Sequence, residues 1–369
     1  MKSRTRMVAL LIPLIALSLI GGAALSDAPA NAPVSEQMPT RMLGDFPKVG
    51  RYNVLRGDFH MHTKHSDGRP TPQERVLEAW RLGYDVIAIT DHGKVLAYDE
   101  AKAAAEALDI VLVRGLETGV ASKEHMVALG VSADYVPRNP HKWAEEPGKD
   151  TVYYRDEMLA IQKTGGLLIL AHPHVGYREP FEWGAKQGII RGIEIKNDVV
   201  GKGWNTIESH GTWFYPHAFD KAVEYDLALF ANTDAHGPKN PGQAVTLVFA
   251  RERSAKSVLD AIRQARTAAW FDGMLWGRES LLTDLINGVI KVRRTADDQY
   301  LRIENLSPLA LKALIQPSVG VPTAVELPPS SEVLVPSAGD SDTAQIEWQN
   351  VWIGTSRNLC TTHAVRKAR

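Results

Sequence analysis

Imidazole and carboxylate side chains recur in this chain at the ends of short apolar runs. DFHMHTKHSDG, residues 58–68, carries His60 and His62 at an i, i+2 spacing with Asp67 downstream. In an extended chain that spacing points both rings to one side. Asp91 and His92 close DVIAITDH, Glu117 follows IVLV, and His125 opens HMVALGV. His172 and His174 close LLILAHPH, and Asp234 and His236 close DLALFANTDAH, again at i, i+2. Neutral imidazoles and carboxylates with no thiolate suit Zn, Mn or Fe. There are more candidate donors than one ion can use, so a centre of two to three divalent transition metal ions is implied. Such centres bind a bridging hydroxide and clamp the oxygens of an ester during in-line displacement.

The elements around these residues explain how they could meet. VLRGDFHMHT reads as a first strand. Thr71 is placed to cap a helix, with Pro72 in its first turn and Glu74 reaching back. Val76, Leu77 and Trp80 share one face of that helix, and Gly83 ends it. DVIAIT is a continuously apolar run of the kind found in buried parallel strands. A helix over 99–108, the runs IVLV and HMVALGV, the helix RDEMLAIQKTGG and the runs LLILA, GIEI, DLALFANT and AVTLVFA follow. Ser254 is placed to cap a last helix. This alternation predicts an α/β fold, either a parallel barrel or an open doubly wound sheet. In both, the C-terminal strand ends share one face, and sites sit there. The imidazoles and carboxylates are therefore expected to converge.

From about residue 281 the texture changes to short strand-like segments separated by Pro, Gly, Ser and Asp. They predict a small all-β, sandwich-like module over 281–369, read as a packing domain because nothing in it has ligand spacing. At the other end, Lys2, Arg4 and Arg6 precede the apolar MVALLIPLIALSLI and the small residues GGAALSDAPA. That pattern is a targeting segment over 1–30, with a linker over 31–50. It predicts a periplasmic or secreted protein, with an uncleaved anchor as the alternative. The 369 residues carry a formal net charge of −1 at pH 7. That balance does not suggest wholesale electrostatic capture by nucleic acid or an anionic membrane. Cys360 is the one cysteine, so no intramolecular disulfide can form.

The stretch DFHMHTKHSDGRPTPQERVLEAWRLGYDVIAITDHG resembles the opening of the PHP (polymerase and histidinol phosphatase) family. The resemblance continues in order through GLETG, EHMVALG, AHPH and TDAH, over about residues 52–250. It implies a distorted (β/α)7 TIM-like barrel, here over 51–280, that hydrolyses phosphate esters at a trinuclear site. Carried onto this chain, it implies His60, His62, Glu117 and Asp234 around one ion. Glu117, bridging, with His125 and His172 would hold a second, and Asp67, His92 and His236 a third. All nine positions carry the expected residue types.

Other residues carry weaker expectations. Asp91 could orient His92 or cap the next turn, and the first is preferred. His65 and His174 are candidates to touch substrate or donate a proton, with solvent-facing roles as the alternative. Lys94, Arg178 and Lys196 could bind phosphate oxygens, Lys94 and Arg178 being preferred. His210 and His217 lie in an aromatic insertion that could roof the cleft but reads more simply as a packed surface loop. His141 and His363 read as structural or surface residues. The expected activity is metal-dependent hydrolysis of a small phosphorylated substrate, mono- or diester, nucleotides and short oligonucleotides being permitted. No stable nucleic-acid complex is expected, and no membrane association once the targeting segment is removed. The rivals are a metal-dependent amidohydrolase and a non-catalytic exported binding protein.

Overall fold

The computed structural model describes residues 41, 44–121, 123–200, 214–238, 244–316, 321–337 and 341–367. The targeting segment, most of the linker and His210 lie outside the described residues. Strand β1 (Asn53–Asp58) is buried from Val54 onward and leads to helix α1 (Pro72–Arg81). Thr71 accepts from the Glu74 amide while the Glu74 carboxylate accepts from the Thr71 amide, the capping box expected from sequence. Strand β2 (Val86–Ile87), helix α2 (Leu96–Ala107) and strand β3 (Val111–Leu112) follow, and β1, β2 and β3 pair in parallel. The DVIAIT run contributes only two residues to a regular strand. Its end bonds instead to the continuation of β1, the Thr90 amide donating to Met61 O at 2.8 Å.

The second sheet corrects the all-parallel expectation. Strands β4 (Gly115–Gly119) and β5 (His125–Leu129) form an antiparallel hairpin. Helix α3 (Tyr154–Lys163) leads to β6 (Leu167–Leu170), which also runs antiparallel to β5. Helix α4 (Glu179–Lys186), strand β7 (Ile190–Asn197), helix α5 (His217–Glu224) and strand β8 (Ala228–Asn232) complete it, with β6, β7 and β8 parallel. Because β5 is reversed, its first residue, His125, lies opposite Gly119 at the end of β4. The reversal is what brings a strand-initiating histidine to the face where the other strands end.

Strand β9 (Val245–Ala250) runs antiparallel to β1. Helix α6 (Ala255–Arg263), capped by the Ser254 hydroxyl as expected, leads to the hairpin of β10 (Thr267–Phe271) and β11 (Met274–Gly277). Among the described residues, strands β1–β11 thus fall into two sheets and not one continuous ring. Single parallel bridges, Met61 with Ala235 and His92 with Glu117, span the gaps between them. At the first seam the Asp234 amide donates to His60 O at 2.8 Å, and the His62 amide to Ala235 O at 2.9 Å. At the second, the Glu117 amide donates to Thr90 O at 3.0 Å, and the Gly93 amide to Glu117 O at 2.8 Å. Both seams are built from the candidate ligands and their neighbours.

After helix α7 (Glu279–Val289) come β12 (Ile290–Arg294), β13 (Tyr300–Asn305), β14 (Leu311–Gln316), β15 (Thr323–Leu327), β16 (Ser331–Pro336), β17 (Thr343–Gly354), β18 (Arg357–Ala364) and β19 (Arg366–Lys367). They divide between a four-stranded sheet, β16-β13-β12-β19, and the set β15-β14-β17 with β18 beside β17. Alternating burial along β12, Ile290, Val292 and Arg294 in, Lys291 and Arg293 out, is the sandwich-like pattern expected. The second set is not free-standing, however. Strand β17 pairs in parallel with β11, so it extends the sheet that contains β1. The rings of Trp276 and Trp352 stack across that junction, 5.3 Å apart. Among the described residues no helix is long and apolar enough to cross a membrane.

Candidate metal centre

All nine candidate ligands converge at the two seams. They fall into overlapping groups whose donor atoms lie within 4.8 Å of one another: His60, His62 and Glu117; His60, His172 and Asp234; Glu117, His125 and His172; and His62, Asp67, His92 and His236. Glu117 is at the centre. Its Oε2 lies 3.4 Å from both His60 Nε2 and His62 Nε2, and 2.9 Å from His92 Nδ1. Its Oε1 lies 3.0 Å from His125 Nδ1 and 3.2 Å from His172 Nε2. Asp234 Oδ1 is 3.1 Å from His62 Nε2, and Asp67 Oδ2 is 3.3 Å from His92 Nε2 and 3.2 Å from His236 Nε2.

The tautomers follow from what lies behind the rings. His60 Nδ1 donates to Glu194 Oε1 at 2.9 Å, and His236 Nδ1 donates to Asp234 O at 2.8 Å. His62 Nδ1 faces the Ser66 hydroxyl at 3.3 Å, which is itself committed as a donor to Asp91. A neutral imidazole has one N–H, so each of these rings presents a bare Nε2 lone pair toward the carboxylates. His60 Nε2, His62 Nε2, Glu117 Oε2 and Asp234 Oδ1 are all buried and all without a hydrogen-bond partner. Lone pairs aimed at carboxylate oxygens inside a protein are unfavourable unless a cation sits among them. The donor set therefore fits divalent metal ions.

Electrostatics and strain agree with that. Burial alone would raise the Glu117 and Asp234 carboxyls, but the imidazoles that face them, His60 foremost, hold both well below the usual range. Asp58, sealed beneath the centre, is pushed up to about 7 by burial despite accepting from the Thr233 and His60 amides. His172 and Asp234 hold positive φ angles of 23° and 52°, a conformation that non-glycine residues adopt at a cost and that clusters at functional sites.

Several supporting residues escape sequence reasoning. Glu194, in the GIEI strand, is fully buried and receives His60 Nδ1, the His172 amide, and the Asn197 and Asn232 side-chain amides. Its own strand, IRGIEIKN, mixes charged and apolar residues and carries no local signal for that role. Arg75, 1% exposed on α1, donates to the carbonyls of His62, Ala235 and Gly237, clamping the first seam. His141 is no surface residue: its Nε2 lies 2.6 Å from His92 Nδ1, and it groups with His92 and Glu117. Its loop is locked down by Pro140, whose carbonyl accepts from Thr118 Oγ1 and the Gly119 amide. Gly93, at φ +62°, leaves room for Pro140, which a Cβ would meet at 2.1 Å.

Asp91 does not orient His92. It accepts from the Thr63 amide and hydroxyl and from Ser66, so it holds the loop that carries Asp67. His174 is buried beside His172, its Nδ1 donating to His172 O, and burial with the neighbouring imidazole lowers it to about 4. His65 pairs with Glu100 at 2.8 Å. Lys94 donates to His65 O, and Arg178 faces Glu145 at 3.6 Å; neither is bonded to any of the nine. Lys196 is buried between Asp198 and Asp272. His217 is exposed at the start of α5, beside Asp220.

Residues 58–265, more than half the chain, match the PHP domain family. The chain belongs to that family. A two-domain protein of Bacteroides vulgatus containing a predicted PHP-like metal-dependent phosphoesterase superposes with a TM-score of 0.71 at 25% identity, over 88% of this chain and 99% of that one. Among curated relatives, a 5′-3′ exoribonuclease of Haemophilus influenzae is 40% identical over 60 residues, 16% of this chain and 22% of its own. A DNA polymerase III PolC-type of Staphylococcus haemolyticus is 38% identical over 73 residues, 19% of this chain and 5% of its own. The match thus spans less than a quarter of either relative. An uncharacterized protein of Methanocaldococcus jannaschii is 29% identical over 200 residues, half of this chain and 84% of its own.

Proposed function

We propose that the protein is a metal-dependent hydrolase of phosphate esters. One observation carries the reading: four buried, unpartnered acceptor atoms, on His60, His62, Glu117 and Asp234, converge on the same space. Kinship with a PHP-like metal-dependent phosphoesterase supports it. His60, His62, Glu117 and Asp234 would hold one ion, Glu117, His125 and His172 a second, and Asp67, His92 and His236 a third. Zn, Mn and Fe all suit these donors. When bound, the ions would supply Lewis acidity toward the phosphoryl oxygens and an activated water at neutral pH.

The chain's own residues prepare that chemistry. Glu194 and the Asp234 carbonyl fix the His60 and His236 tautomers, and Ser66 supports that of His62. The closed seams exclude bulk water from Glu117 and Asp234, 1% and 2% exposed. Asp67 and the outer histidines are the open side, where substrate would enter. His174, neutral near pH 7 and with its Nδ1–H committed to His172 O, would contact the substrate rather than protonate the leaving group, and Lys94 and Arg178 are the proposed cations for nonbridging oxygens. The two bridged sheets together would act as a distorted (β/α)7 barrel over 51–280, with 281–369 as its β module. The substrate would be a small phosphorylated molecule, and the exoribonuclease relative makes a nucleotide diester a reasonable first choice. An exported location is proposed from residues 1–30.

Metal content and turnover of p-nitrophenyl phosphate and its bis ester, measured on one sample, test the reading. Two to three equivalents of metal with hydrolysis are expected. Glu117→Ala, still folded, should lose at least one equivalent and reduce turnover by on the order of 100-fold or more. Turnover that survives in the metal-free protein would overturn the proposal.

A further inference from the structure

The C-terminal strands border an open polar pocket that the proposed chemistry does not use. It has a volume of about 340 Å³ and lies where the end of α7 meets β12, β18 and β19. Asn287, Lys291, Arg293, Thr362, His363 and Arg366 supply its polar lining, and among the described residues no carboxylate lines it. Lys291 and Arg293 share the outward face of β12. Arg366 is the cross-strand partner of Arg293 on β19, and Arg302 its partner on β13. Arg302 is neutralised by Glu332 at 3.5 Å. Among the described residues Arg293 and Arg366 have no ion pair or side-chain hydrogen bond, and Lys291 donates only to Gly288 O at 3.3 Å. Glu304, opposite Lys291 on β13, forms no ion pair with it. Uncompensated like charges on adjacent strands repel, and an anion between them would reverse the sign of that interaction.

A buried imidazole points the same way. His363 is 7% exposed. Trp348 Nε1 donates to Thr361 Oγ1 at 2.8 Å, and the Thr361 hydroxyl lies 2.7 Å from His363 Nε2, the acceptor available to its proton. With Nε2 accepting, the single N–H of the neutral ring is on Nδ1. Among the described residues that nitrogen has no protein partner, and the pocket His363 lines is this one. The relay Trp348–Thr361–His363 thus leaves a donor on a residue that lines the same pocket as the three cations.

We propose that the pocket is a second ligand site, for a phosphate-class oxyanion. A tetrahedral dianion offers enough acceptor oxygens for the Nδ1 donor, two guanidinium groups and an ammonium at once. Free phosphate and the phosphoryl end of a small ester share that chemistry, and the volume has room for the ester. The site stands apart from the metal centre and does not depend on its reading.

Calorimetric titration of inorganic phosphate into the full chain, before and after dialysis against EDTA, tests this. One phosphate per chain should still bind after EDTA. Arg293→Ala with Arg366→Ala should weaken that binding at least tenfold without lowering the unfolding temperature, because both side chains are exposed and repel each other. His363→Gln, which keeps an acceptor for Thr361, should weaken it severalfold. Tighter binding of glycerol 3-phosphate than of phosphate would support the site and assign it to an ester; weaker binding would support it and assign the free ion. Absence of EDTA-resistant phosphate binding, or equal binding by wild type and the double variant, would overturn the proposal.

Discussion

At the scale of single residues, the centre is organised by what stands behind each imidazole. Glu194 gathers four donors from three strand ends and the turn after β6, so its charge is spread over a fixed frame and its contact with His60 is rigid. Losing such a supporting carboxylate typically costs 10–100-fold in metal affinity. Glu194→Gln should therefore bind Zn or Mn on the order of 10–100-fold more weakly in a competition titration with a chromophoric chelator. Unchanged affinity would mean that the His60 tautomer is set elsewhere. That these histidines and carboxylates converge was legible in sequence because they recur at strand ends, while the choice of nine among them was what the family resemblance implied. Glu194, Arg75 and His141 were not legible, because nothing local distinguishes them: each acquires its partner from a segment at least 13 residues away, as Arg75 does from His62.

At the scale of elements, the helices were the readable part. The capping box at Thr71 and the Ser254 cap are local hydrogen bonds that a few consecutive residues determine. Strand direction was not readable, because pairing partners are remote. A reversed β5 has the same apolar pattern as a parallel one, yet only the reversal puts His125 beside Glu117. The seams impose a further demand. Arg75 satisfies three carbonyls where regular strand pairing lapses, and a shorter or apolar side chain would leave them buried and unpaired. Arg75→Met should destabilise the protein by about 2–4 kcal/mol in urea unfolding. It should also lower metal occupancy, since His62 and Ala235 sit on that seam. A stable variant with full metal content would show that the seam closes without the clamp.

At the scale of the whole molecule, stability should depend on metal and on pH in separable ways. Ions that bind only the folded chain stabilise it by mass action, about 4 kcal/mol at a thousandfold excess over Kd. EDTA should therefore lower the unfolding temperature by on the order of 10 °C. An unchanged unfolding temperature would count against a bound metal in the native state. The C-terminal module should add a pH term through His363, whose buried ring is lowered to about 4 by desolvation and by Lys291. The unfolded chain takes up that proton near pH 6.5 and the folded one only near 4, so this stability is present above about pH 6.5 and is lost as pH falls toward 4. Between those values, in phosphate-free buffer, wild type should lose about 2–3 kcal/mol more than His363→Gln. Parallel losses would mean that His363 protonates freely in the fold. What the sequence by itself determined was the inventory and its order: ligand types, strand ends, caps and a change to β texture near residue 281, all set by short-range pattern. Tertiary structure decided the rest. Which strand is reversed, where the seams fall, which buried arginine and glutamate and which histidine support the ligand groups, and where β17 joins β11 all depend on hydrogen bonds between distant segments. Those contacts form only when the packed core brings the segments together.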